Sequence, residues 1–124
     1  MTQSERNAKN RKNGEDFERK IVSKFKKRSD VLYAQRGAGS FGVWDIMVQF
    51  IDGTVLYVSA KINGYHDWEE RMKILKFIRK VKRNKMTNVR MEMHYYRTQR
   101  KTSLMRIKTE CDVDKLETMR RAMA

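Results

Sequence analysis

The chain has 124 residues, 40% hydrophobic and 35% charged, with no proline and one cysteine, which is enough for one hydrophobic core and too little for two. Its 29 Lys and Arg stand against 15 Asp and Glu, a net charge of +14 at pH 7, so an anionic surface is the natural partner and a basic co-substrate is excluded. No run reaches the ~20 apolar residues of a membrane span, the first ten residues lack the apolar segment of a secretory signal, and Cys111 has no second cysteine with which to build a disulfide or a zinc site.

A soluble, intracellular protein is expected, cytoplasmic or nucleoid-associated. Residues 1–13 are polar and rich in Asn and Lys, without apolar periodicity, and read as a flexible basic arm in front of a single domain over 14–124. From Gly14 the pattern changes: Phe17, Ile21, Val22 and Phe25 recur at helical spacing while Lys20, Lys24, Lys26 and Lys27 take other faces, the signature of an amphipathic helix. Val31 to Gln35 is a short apolar segment, and RGAGSFG after it, with three glycines in seven residues, reads as a loop.

VWDIMVQF then predicts a strand, and Asp52-Gly53 a hairpin turn into VLYVSAK, a strand with both faces largely apolar. Asp67 is placed to cap a helix from about Trp68, with Glu70 three residues on to complete a capping box. Leu75, Ile78 and Val81, broadened by Ile74 and Phe77, cover a sheet, and Lys73, Lys76, Lys80 and Arg83 form a separate basic face. VRMEMHYY alternates with period two, LMRIK is an expected edge strand, and DVDKLETMRRAM closes the chain as a helix capped by Asp112. The order predicts an α/β fold with a mixed central sheet flanked by helices.

Charge is concentrated between positions 71 and 108, where 14 Lys or Arg face the single acid Glu92. Like charges at helical spacing repel by a few tenths of a kcal/mol each, about 0.2–0.5 kcal/mol, so such an excess is best understood if phosphates neutralise it. The aromatics Tyr33, Phe41, Tyr65, Tyr95 and Tyr96 are scattered and suit a core or hinge as well as base stacking. His66 and His94 lack a metal-site spacing, and the nine methionines suit irregular core or subunit contacts.

Glu18, Asp45 and Lys61 are the residue types that phosphodiester hydrolysis needs: carboxylates to hold Mg²⁺ (or Mn²⁺) and an ammonium beside the reacting oxygen. Asp45 stands out, because it interrupts an apolar run between Trp44 and Ile46, where an unpartnered carboxylate is costly. Arg36 and Ser40 in the glycine-rich segment add groups that can meet a backbone phosphate.

Taken in order, Gly14, Glu18 and Arg19 in RKNGEDFERKI, Arg36 and Ser40 in QRGAGSFG, Asp45 in VWDIMV and Lys61 in LYVSAK resemble the motifs of archaeal-type Holliday junction resolvases, members of the PD-(D/E)XK nuclease superfamily. The resemblance spans roughly residues 11–108. It implies a restriction-endonuclease-like fold and a homodimer that recognises four-way DNA junctions by shape and cuts symmetric strands with Mg²⁺. Glu18 and Asp45 would then bind metal, Lys61 would orient or activate water, and Arg19 and Arg36 would contact the scissile phosphate region.

One position departs from the pattern. The family has a glutamate two residues before the lysine, whereas this chain has Ser59-Ala60-Lys61, and a hydroxyl lacks the negative charge that makes a strong hard-metal ligand. Ser59 is an inactivating substitution in a genuine nuclease, a natural loss of catalysis with DNA binding retained, or a sign that the ligand has moved to Asp67, Glu69 or Glu70. Beside a metal-dependent junction nuclease impaired at Ser59 stand a non-catalytic junction-binding or architectural protein on the same fold and, resting on charge alone, an RNA-binding protein. Edge strands, the terminal helix and the glycine-rich segment are candidate dimer contacts.

Overall fold

The stripe Phe17, Ile21, Val22 and Phe25 is buried along a 24-residue helix, α1 (Gln3–Lys26). After it come β1 (Val31–Phe41), β2 (Trp44–Phe50), β3 (Val55–Lys61), α2 (Trp68–Arg83), β4 (Val89–Tyr96) and β5 (Thr102–Ile107). The computed structural model describes residues 2–62, 66–96 and 102–107, with the backbone but not the side chains of 38–40, 96 and 102–107. The closing helix expected over DVDKLETMRRAM lies outside these residues, as does the side chain of Ser40.

The strands lie in chain order in one five-stranded sheet. β1–β2, β2–β3 and β4–β5 are antiparallel, while β3 and β4 are parallel and in register from Val55↔Val89 to Lys61↔Tyr95. A parallel pair needs a crossover, and α2 supplies it. The result is the expected α/β arrangement of a mixed sheet with helices.

Alternation along the strands feeds two clusters. Ala34, Ile46, Val48, Phe50, Leu56 and Val58 pack under α1; Trp44, Met91, Met93 and Tyr95 pack with Ile74 and Ile78 of α2, with Tyr57 and Phe77 at the margin. Leu56 and Val58 therefore face one helix and Tyr57 the other, as period two requires. Trp44, Tyr57 and Phe77 meet edge-on or tilted at 5.0–6.0 Å, fixing where α2 crosses. Ile46, Val48 and Val58 are fully buried, each contributing about 1.5–3 kcal/mol of transfer free energy.

Two elements differ from the sequence expectation. Residues 3–13 are helical, not an irregular arm. Thr2 Oγ1 accepts the Glu5 N–H at 3.1 Å and Glu5 Oε2 accepts the Thr2 N–H at 3.3 Å, a capping box that starts α1 about four turns before its buried stripe. Those turns are exposed, so no apolar periodicity marks them.

The RGAGSFG segment is strand rather than loop: β1 continues through it to Phe41, with a register irregularity between Arg36 and Phe41. Gly42 has φ +67 and opens the two-residue turn between Phe41 and Trp44, where a glycine takes the first position without strain. Gly37 has another use, since a Cβ there would overlap the Phe41 ring. No helix among the described residues is long and apolar enough to cross a membrane.

Gly37→Ala is accordingly expected to force the Phe41 ring out of place and lower the unfolding free energy by about 1–3 kcal/mol. The urea midpoint measures this, and an unchanged midpoint would show that the ring has room to move.

Candidate functional site

Asp45 lies where β2 changes allegiance, since Trp44 packs on the α2 side and Ile46 on the α1 side. The β2–β3 register runs from Gln49↔Val55 to Ile46↔Val58. Just beyond it, Asp45 Oδ2 accepts the Ala60 N–H at 2.8 Å, so a side-chain carboxylate satisfies a backbone donor of β3. Burial pushes the Asp45 carboxyl above the usual range and the Glu70 charge adds to this; the Ala60 N–H, Lys61 and the Ser59 hydroxyl pull it back.

Glu18 stands next to Phe17 at the border of the α1 stripe, its side chain 17% exposed. Its Oε1 accepts from Arg36 Nε of β1 at 3.4 Å. Burial and then the charge of Asp45 raise the Glu18 carboxyl above its ordinary value, against the opposing pull of Arg36. The two carboxylates named from sequence are thus close enough to repel.

Lys61 ends β3, and its Nζ meets Glu70 Oε2 of α2 at 2.5 Å. Of the three acids that a displaced ligand could use, Glu70 alone has a described contact here. The Asp67 carboxylate caps α2 by accepting the Glu70 N–H at 2.8 Å, and Glu69 is exposed beside Lys73 at 3.6 Å. The reciprocal half of the expected capping box gives way to the Lys61 ion pair.

Ser59 is fully buried. Its Oγ lies 2.9 Å from His66 Nε2, and His66 Nδ1 lies 3.4 Å from the Tyr95 hydroxyl. Burial, then the Lys61 charge, lowers the His66 pKa to about 3, so this imidazole is neutral; burial likewise pushes the Tyr95 phenol up. His66 and Tyr95 are members of the site that spacing rules miss, because neither carries a motif. The one available signal is the polar Ser59 inside an apolar strand.

The remaining sequence candidates lie apart. Arg19 is exposed and pairs with Glu15 and Asp16 on its own helix at 3.7 and 3.3 Å, outside the cluster that Arg36 joins. Lys76, Lys80 and Arg83 line a shallow surface groove together with Arg79, a fourth cation that the i, i+3, i+4 rule could have added. This ridge leads away from Glu70 for about 20 Å at 1.5 Å per residue.

Glu18 and Asp45 are hard oxygen donors whose mutual repulsion a divalent cation would relieve. Among the described residues no three His, Cys, Asp or Glu side chains form a ready metal cage. Mg²⁺ does not require one, since it commonly binds through one or two carboxylates plus waters and substrate phosphates. The donor chemistry therefore fits that ion. No family model matches the chain, nor does any curated protein or solved structure.

Two outcomes are expected for stability. A raised carboxyl pKa means that the folded state holds its proton more tightly than the unfolded chain, so ionised Glu18 destabilises the fold above the unfolded pKa of 4.5 and the cost disappears in acid. Glu18→Gln should raise Tm at pH 7 by about 2–6 °C, with the difference gone below about pH 4; equal melting at pH 7 would show that the ionised carboxylate costs the fold nothing. His66 has the opposite dependence. The unfolded chain protonates it near 6.5 and the folded chain only near 3, so stability falls by a few kcal/mol, about 1.4 per pKa unit, as pH drops through that window. His66→Gln should flatten the urea-midpoint profile there.

Proposed function

We propose that this chain is a structure-selective endodeoxyribonuclease that binds four-way DNA junctions as a homodimer and hydrolyses phosphodiester bonds with Mg²⁺, on a restriction-endonuclease-like version of the mixed sheet. One observation carries the reading. Glu18 of α1, Asp45 of β2 and Lys61 of β3, far apart in the chain, form one electrostatically coupled group through the Glu18–Asp45 and Asp45–Lys61 interactions. Their order and residue types are those of the PD-(D/E)XK pattern.

Glu18 and Asp45 would hold the ion, which polarises a phosphoryl oxygen and acidifies a water when bound. Arg36 and Lys61 are held on the carboxylates of Glu18 and Glu70. A phosphate entering between them competes for both cations, so the site exchanges internal ion pairs for contacts to DNA. Lys61 then lies where it can orient the attacking water. Lys73, Lys76, Arg79, Lys80 and Arg83 meet the backbone further along the duplex arm, positioning DNA without reading bases.

Ser59 leaves the metal ligands one negative charge short of the ExK arrangement, so cleavage is impaired relative to a site with a strand glutamate. The same neutral, buried Ser59 favours a second reading, a junction-binding protein without catalysis. Two copies of one site suit two symmetric cuts.

The test is cleavage of a four-way junction, a linear duplex and a structured RNA at fixed salt, with Mg²⁺ or with a chelator. Slow Mg²⁺-dependent cutting confined to the junction is expected, falling by about two to three powers of ten in Asp45→Asn, equivalent to ~3–4 kcal/mol of transition-state stabilisation. For ~6 phosphate contacts, affinity should fall by several powers of ten over a tenfold rise in salt. Tight junction binding with no cutting would establish the second reading; equal affinity for all three nucleic acids would overturn both.

A further inference from the structure

Behind the acidic pair lies a buried polar row that the proposed chemistry does not use. Ser59 is 0% exposed, His66 1% and Tyr95 0%. They come from β3, from the segment leading into α2, and from the end of β4, and the His66 and Tyr95 rings meet edge-on at 5.8 Å. Two hydrogen bonds join them, Ser59 Oγ to His66 Nε2 at 2.9 Å and His66 Nδ1 to the Tyr95 hydroxyl at 3.4 Å. At its open end Ser59 precedes Ala60, whose N–H fixes Asp45 Oδ2 at 2.8 Å, which brings the Ser59 hydroxyl to the Asp45 carboxylate, where it favours the ionised form.

The chemistry of these groups allows one direction. An ionised carboxylate only accepts hydrogen bonds, so the Ser59 hydroxyl donates to Asp45 and its oxygen accepts from His66. A neutral imidazole has one donor and one acceptor nitrogen; Nε2 therefore carries the proton, and Nδ1 accepts from the Tyr95 hydroxyl. Every donor in the row then has an acceptor, which is the condition for burying such a row at low cost.

We infer that Tyr95, His66 and Ser59 form a one-directional hydrogen-bond chain that ends on the Asp45 carboxylate and holds it in place, making Ser59 and His66 positioning residues rather than the trace of a lost ligand. The metal-binding role of Asp45 rests on the nuclease reading; the direction of the chain does not. Ser59 and His66 are also sterically coupled. A glutamate at position 59 would have to occupy the space of the imidazole 2.9 Å away, so Ser59→Glu by itself does not restore a strand carboxylate, whereas Ser59→Glu with His66→Gly makes room for one.

Two measurements on the full chain test this. Long-range ¹H–¹⁵N correlation spectra report the tautomer of His66 without reference to activity. The Nε2–H form with a slowly exchanging ring proton is expected; the Nδ1–H form would overturn the chain. Mn²⁺ binding without DNA, followed by water-proton relaxation, should weaken about tenfold in Ser59→Ala and in His66→Phe, with Ser59→Thr retaining affinity through its hydroxyl. Unchanged affinity in a folded Ser59→Ala would overturn the positioning role. If the unchanged chain binds no Mn²⁺ while His66 shows the Nε2–H form, the metal reading fails and the chain's direction stands.

Discussion

A carboxylate at the seam between two apolar clusters sets the terms for the rest of this molecule. Asp45 belongs to a strand whose neighbours on either side, Trp44 and Ile46, are buried in different apolar clusters. An ion in that position survives only if donors and countercharge come to it. They come from β3, which offers the Ala60 N–H, the Ser59 hydroxyl and the Lys61 ammonium. Through Lys61 the arrangement reaches Glu70 and hence the start of α2. Much of the local architecture is the set of groups that makes one buried charge tolerable.

Tolerance is incomplete, and that is the interesting part. The carboxyls of Glu18 and Asp45 are both shifted upward, by burial before anything else. A fold selected for stability alone would place amides or apolar groups at these positions. Keeping two mutually repelling acids in one part-buried group stores unfavourable electrostatics that the neighbouring Arg36 and Lys61 offset only in part.

Much of this was legible in the residues. Period two in β2, β3 and β4 and the stripes of α1 and α2 announce themselves because burial writes them into the sequence, and Asp45 was conspicuous because it breaks such a run. Residues 3–13 were misread for the converse reason. Their helix rests on a capping box and packs on no core, leaving no stripe to read. RGAGSFG was misread because glycines usually mark loops, while here Gly37 makes room for a ring and Gly42 makes the turn. His66 could not be assigned at all, since its meaning depends on Ser59 and Tyr95, and the latter becomes its neighbour only through strand pairing.

That dependence bears on how the molecule is assembled. β1–β2, β2–β3 and β4–β5 join strands adjacent along the chain, but β3 and β4 meet only after α2 has been laid across the sheet. Such a closure costs more loop entropy than a hairpin does. Ser59 and His66 are seven residues apart in the chain, whereas Tyr95 is placed beside them by the β3–β4 pairing. The Ser59–His66–Tyr95 row is therefore complete only once β3 and β4 are paired, whereas the positive charge along α2 belongs to one helix and needs no such closure.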